Sequence, residues 1–287
     1  MIAHVAQSGE DRGRVVLHLR SAHPSTMAVE AALRVARAYG SELESLFVED
    51  EQLFDCAAFN FAREVSLSGR QNRAMSLDTV MRDLYLTAQG ARRQIEALAR
   101  KADVPLRCRV VRDEPIRALT IACAERGPWN VVVLGEPFGA GDGTLLKQLL
   151  ADVSGSTGLI AVGPRGRHIT GPIVVAVEDT EHLPDLLRAA ERMAALDGDE
   201  IVLLLVARDE EQLYHMDGEA RLVIEAREGV RIQSTAMALG QTAVVAEALR
   251  RLHGGIVICQ FGGLVVSDEG DLRPLASSLE CPLFVVR

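Results

Sequence analysis

The stretch VVVLGEPFGAGDGTLLKQLLADVSGSTG, Val131 to Gly158, holds the residue types and spacing best suited to chemistry in this chain. An aliphatic run ends at Gly135, a loop with Gly139, Gly141 and Gly143 follows, and a helical pattern begins after it. Glycines between a strand and a helix let backbone N–H groups approach an oxyanion closely, and the helix N-terminus favours negative charge. Lys147, just beyond the loop, and Arg20, behind the first apolar run, are the nearest candidates to supply positive charge. The loop is not a Walker loop, because no Gly-Lys-Ser/Thr follows at the required distance. It is not the dinucleotide fingerprint either, since the first turn, after VVLHL, has no glycines. Two readings stay open for these glycines: a nucleotide or anion contact, or a turn at the carboxyl edge of a sheet. SGSTG (Ser154–Gly158) reads more simply as a helix end turning into a strand.

Other chemistry is sparse. The seven histidines show no HxH, HExxH or HxxxH spacing, and the five cysteines show no CxxC, so no metal site is expected. Cys56, Cys108, Cys123, Cys259 and Cys281 read as mostly buried, unpaired thiols of a reducing cytoplasm. No GxSxG-like context marks a nucleophile, so no catalytic residue is assigned and the chain is not read as an enzyme; weak ATP hydrolysis stays open. The net charge of −9 is unevenly placed. Residues 1–170 hold 21 Lys+Arg against 20 Asp+Glu, and residues 171–287 hold 10 against 20 with no lysine. That balance excludes a nucleic-acid role, which needs clustered positive charge. No apolar run is long enough to span a bilayer and the N-terminal stretch does not read as a secretion signal, so a cytoplasmic protein without a membrane role is expected.

The elements that must position the loop repeat. GRVVLHL (Gly13–Leu19) matches GPIVVAV (Gly171–Val177), each a short apolar run suited to a strand buried on both faces. Helical periodicity follows in both, through Met27–Ala38 and through Leu186–Ala194, and each helix stops at a glycine before a second strand. A more polar helix comes next, long between Leu77 and Lys101 and shorter over Glu210–Glu228. Third strands PLRCRVV and VRIQSTAMA, helices EPIRALTIACAERG and QTAVVAEALRRLHG, fourth strands NVVVLG and GIVICQ, and fifth strands GLIAVG and CPLFVVR complete both copies. Strand–helix alternation with non-alternating apolar strands predicts parallel sheets covered by helices on both faces. The expected organisation is an α/β chain of two tandem five-stranded units, 13–166 and 171–287, joined at GPRGRHITGP (Gly163–Pro172).

The element order, the glycines after strand four and the closing CPLFVV resemble the universal stress protein family in its tandem two-domain form. The resemblance implies Rossmann-like α/β sandwiches of the adenine nucleotide alpha hydrolase-like type, in a bacterial stress-response setting. It also implies ATP at a signature of Gly, two residues, Gly, nine residues, then Gly-Ser or Gly-Thr, with an aspartate at the end of strand one. Fifth strands meeting antiparallel, here between the halves as an intramolecular pseudo-dimer, are implied too, with a further homodimer open. Gly135 stands for the first glycine, but three residues separate it from Gly139. Aligning LLKQLLADVS places Ala151 and Asp152 where Gly-Ser would be, and Arg20 where the aspartate would be. A methyl crowds a phosphate and a carboxylate repels it, by on the order of 1 kcal/mol or more at short range. The second copy keeps an acid, Glu178 beside Asp179, yet after strand four it holds only Gly262 and Gly263, followed by Asp268, Glu269 and Asp271.

The expectation is a non-enzymatic stress-response regulatory or binding protein with a degenerate nucleotide site. Arg20, Gly135, Gly139, Gly141 and Gly143 are the candidate contacts, in the first half only, with no cofactor as the leading expectation and ATP as the alternative. A second reading is an ATP binder with slow hydrolysis. A third is a scaffold that holds an unidentified protein through the segment carrying Phe54, Phe59 and Phe61, which otherwise serves as a local packing cover or pocket wall.

Overall fold

A computed structural model describes residues 13–20, 23–66, 68–70, 72–125, 129–134, 148–149, 156–225, 227–235, 242–266 and 272–287. The first half runs β1 (Arg14–Leu19), α1 (Thr26–Ala38), β2 (Leu43–Asp50), α2 (Glu51–Ala58), β3 (Arg63–Val65), β4 (Asn72–Ala74), α3 (Leu77–Ala102), β5 (Leu106–Asp113), α4 (Pro115–Ala124), β6 (Asn130–Leu134) and β7 (Gly158–Ala161). The second runs β8 (Ile173–Val177), α5 (Leu183–Asp197), β9 (Ile201–Val206), α6 (Glu210–Ile224), β10 (Val230–Thr235), α7 (Thr242–Arg251), β11 (Ile256–Gln260), α8 (Arg273–Ser278) and β12 (Leu283–Val286).

The two sets of five strands form one ten-stranded sheet, in the order β10-β9-β8-β11-β12-β7-β6-β1-β2-β5. Every neighbouring pair is parallel except β12 with β7, which run antiparallel with Leu283 opposite Ala161 and Val286 opposite Gly158. A Cβ at Gly158 would overlap the Phe284 ring, so the glycine is what lets that ring lie across the junction. Buried strands need apolar residues on both faces, and β1 supplies them. Val15, Leu17 and Leu19 join the core under α1, α3, α5 and α6, while Val16 joins the opposite core with residues of α4, α7 and α8.

Local signals explain where the helices start and stop. Ser25 and Ser76 accept the N–H groups of Ala28 and Thr79 at the starts of α1 and α3. Gly198, at φ 73, ends α5 by donating to the Ala194 carbonyl. Between β2 and α3 the sequence had offered only an unassigned segment. Asp50 caps a short helix there through the Gln52 N–H, and β3 and β4 form an antiparallel hairpin. That hairpin is solvent-facing and three residues per strand, too short for a period-two pattern to show.

Charged side chains also hold the fold. Arg14 and Glu44 are fully buried and paired, and Arg14 also donates to the Ala122 carbonyl. Arg109 lies 3.5 Å from Glu44 and 2.6 Å from Glu125, and its hydrogen bond to Glu125 pulls that carboxyl below its usual range. These residues tie β1, β2, β5 and α4 together at the amino edge of the sheet. Between the halves, Arg34 of α1 donates to the Ile169 carbonyl and to Asp199 beyond α5. Beside it Tyr39 packs on Trp129 at 5.0 Å, with Arg192 of α5 over the Tyr39 ring at 5.1 Å.

Candidate functional site

In a parallel sheet, ligands collect at the carboxyl edge. In the first half β1 and β6 are parallel neighbours with His18 opposite Leu134, so their carboxyl ends lie side by side. Arg20 is exposed one residue past β1, and His18, in β1 two residues before it, is buried. Gly135, Gly139, Gly141 and Gly143 lie outside the described residues, as do Lys147, Ala151 and Asp152. The structure therefore places Arg20 at the expected edge and leaves the rest of that constellation to the sequence.

At the equivalent edge of the second half, a side chain of the chain itself occupies the loop that follows β11 through residue 266. Register makes the equivalence explicit: Val15 pairs with Val131 in the first half and Ile173 with Ile256 in the second. Counting on from these pairs, Glu178 stands where Arg20 does, and Gln260 stands where Gly135 does. This agrees with the alignment of NVVVLG with GIVICQ, and Gly262 and Gly263 follow two and three residues further on.

The loop after β11 closes on itself through the Gly262 N–H to the Val266 carbonyl, and Gly262 adopts φ 87. This turn directs the Leu264 and Val265 N–H groups at the Glu178 carboxylate. Two convergent backbone donors make an anion cradle of the kind a phosphate oxygen would use. Gly263 is required for the approach, because a Cβ there would overlap the carboxylate. Val265 and Val266 of the same loop are buried in the core, and Glu178 is only 7% exposed. Burial pushes the Glu178 carboxyl up and neighbouring Asp179 adds to this, against the two N–H donors, which favour the charged form.

Asp179 behaves differently. Burial raises it, but the His182 N–H at 2.9 Å and the His182 ring nitrogen at 2.8 Å outweigh that and hold it below its usual range. Its side chain is thus engaged by His182, the residue that precedes α5. Asp268, Glu269 and Asp271 lie outside the described residues. Among the described residues, no cluster of three His, Cys, Asp or Glu side chains could hold a metal, and no helix is long and apolar enough to cross a membrane.

The thiols are poorly placed for nucleophilic work. Burial pushes Cys123 and Cys281 up to about 12, and pushes Cys259 higher still with help from Glu178. Cys56 is exposed and Cys108 half-buried, so the expectation of buried cysteines holds for three of the five. The phenylalanines divide: Phe54 lies under the Arg112 guanidinium at 3.7 Å, whereas Phe59 and Phe61 stack at 5.3 Å and are 55% and 80% exposed. Phe59 and Phe61 therefore present a stacked pair of rings to solvent.

Comparison with known proteins fits this architecture. No family model matches the chain, and no curated protein matches it by sequence. Among solved structures, a universal stress protein from Archaeoglobus fulgidus superposes with a TM-score of 0.64 at 13% identity, covering 95% of this chain and 96% of that one. A putative universal stress protein from Pseudomonas aeruginosa gives 0.53 at 13% identity over 95% and 92%. The cytoplasmic domain of a prokaryotic cation chloride cotransporter gives 0.57 at 10% identity over 96% and 95%. At such identities likeness is a statement about fold. Over 95% of its length, this chain has the α/β fold of the universal stress proteins.

Proposed function

We propose that the chain is a non-enzymatic regulatory or binding protein of universal stress type whose two nucleotide crevices no longer serve ATP. The observation that carries the reading is the Glu178 carboxylate, held by the Leu264 and Val265 N–H groups where a phosphate oxygen would otherwise dock. A phosphate entering this cradle would have to displace a buried carboxylate already bonded there, and would meet its charge if it did not. In the first half the support comes from sequence: Ala151 and Asp152 stand in place of a glycine and a hydroxyl, and Arg20 in place of an acid. The step from fold to stress-type role is by analogy, since one fold hosts many activities.

The protein purified without added nucleotide and examined by mass spectrometry after denaturation is expected to release no stoichiometric adenine nucleotide. One equivalent of ATP or ADP per chain would sink the reading and favour the ATP-binding alternative built on Gly135, Gly139, Gly141 and Gly143.

A further inference from the structure

β5 is the terminal strand of the ten-stranded sheet, eight residues long, and among the described residues no further strand lies on its outer side. Its register shows which backbone groups face outward. Leu43 pairs with Leu106 and donates its N–H to the Pro105 carbonyl. In a parallel ladder this turns the N–H and C=O groups of 105, 107 and their odd-numbered successors toward β2, and those of Leu106, Cys108, Val110 and Arg112 outward. Side chains alternate with the same period. Leu106 and Cys108 face α3, where with Ala99, Val104, Arg92, Glu96 and Arg100 they line a groove of about 290 Å³. Val110, next along that face, is 54% exposed. Arg107 and Arg109 face the α4 side, as the Arg109–Glu125 pair shows.

The charge along this edge is positive. Arg92, Arg109 and Arg112 are engaged by Glu96, Glu125 and Glu49 respectively. Arg100 and Arg107 make no ion pair with any described residue. A second copy of this chain pairing its own β5 here would set arginines against arginines, so charge disfavours that occupant. Arginines on an open edge do discourage like edges. They equally select a strand of opposite sign, and an open edge beside a groove with an apolar floor and a charged rim is the geometry of strand addition.

We propose that the β5 edge and its α3 groove bind an extended segment of a partner protein as an eleventh strand. The segment carries small apolar side chains on one face, filling the groove over Ala99, Val104 and Leu106, and acidic side chains on the other, meeting Arg107. This surface is the far flank of the sheet from the Glu178 cradle, so it stands or falls independently of the nucleotide reading.

The probe is a fluorescein-labelled (Val-Glu)4 peptide titrated with the full chain, followed by anisotropy at low salt, with (Val-Lys)4 as control. Saturable binding of (Val-Glu)4 alone is expected. Arg107→Glu should weaken it at least about tenfold, since a rim charge reverses from attraction to repulsion. Val110→Pro removes an outward N–H while leaving the ladder to β2 intact, and should weaken it comparably. Circular dichroism of both variants verifies the fold, and Arg107→Glu serves alone if the proline variant misfolds. Absence of saturable binding, equal binding of (Val-Lys)4, or binding indifferent to the folded variants would overturn the proposal. So would a concentration-dependent dimer in sedimentation that Val110→Pro abolishes, because a second copy would then occupy the edge.

Discussion

Glu44→Leu is expected to lower the unfolding free energy by about 3–5 kcal/mol, read as a shift in the urea midpoint. The reason is the partner left behind. Arg14 is fully buried at the start of β1, and removing Glu44 strands its guanidinium with the Ala122 carbonyl and a Glu125 carboxylate 3.6 Å away. An unpaired buried charge costs several kcal/mol, whereas a pair replaced by apolar groups of similar volume is often neutral. Combining Arg14→Met with Glu44→Leu should therefore recover most of the loss. If Glu44→Leu costs under about 1 kcal/mol, or the double variant is as unstable as the single, the pair does not hold the amino edge as described.

The second large effect is expected at the cradle. Gly263→Ala should destabilise by about 1–3 kcal/mol, the usual range for forcing extra volume into a packed site. Its added methyl would overlap the Glu178 carboxylate. In a Glu178→Ala background the same methyl has room, so its cost should largely vanish. Coupling of this kind is expected only between groups in contact. Protonation offers an independent reading. Because burial raises the Glu178 carboxyl in the folded state, the folded chain holds that proton more tightly than the unfolded one. Its contribution is then fully present below the unfolded value and is lost as pH rises through the raised folded value. Relative to Glu178→Gln, the natural protein should lose stability as pH rises through that window. Additive costs for Gly263→Ala and Glu178→Ala, or parallel pH curves, would place Glu178 outside the loop.

Much of the fold was legible because its signals are local and repeated. Gly13–Leu19 and Gly171–Val177 read as doubly buried strands, and the structure makes them β1 and β8. The α3 helix, expected from Leu77 to Lys101, runs from Leu77 to Ala102, since one apolar stripe and the Ser76 cap fix its limits. What escaped was non-local or patternless. Arg14 and Glu44 are 30 residues apart, and nothing in either segment announces that they meet in a dry core. Arg34 and Asp199 are 165 apart and join the two halves. Glu178 was noticed as an acid at the ligand position, yet its hydrogen bonds depend on how the loop after β11 folds back.

The central question is whether the crevices still take a nucleotide. Calorimetric titration of the purified chain with Mg-ATP, paired with thermal unfolding in its presence, tests that most directly. The expected result is no saturable heat and an unfolding midpoint unmoved by millimolar Mg-ATP. A ligand at 100 times its Kd would stabilise the chain by about 2.7 kcal/mol, far above the resolution of either method. Saturable one-site binding with a matching rise in the midpoint would contradict the central claim.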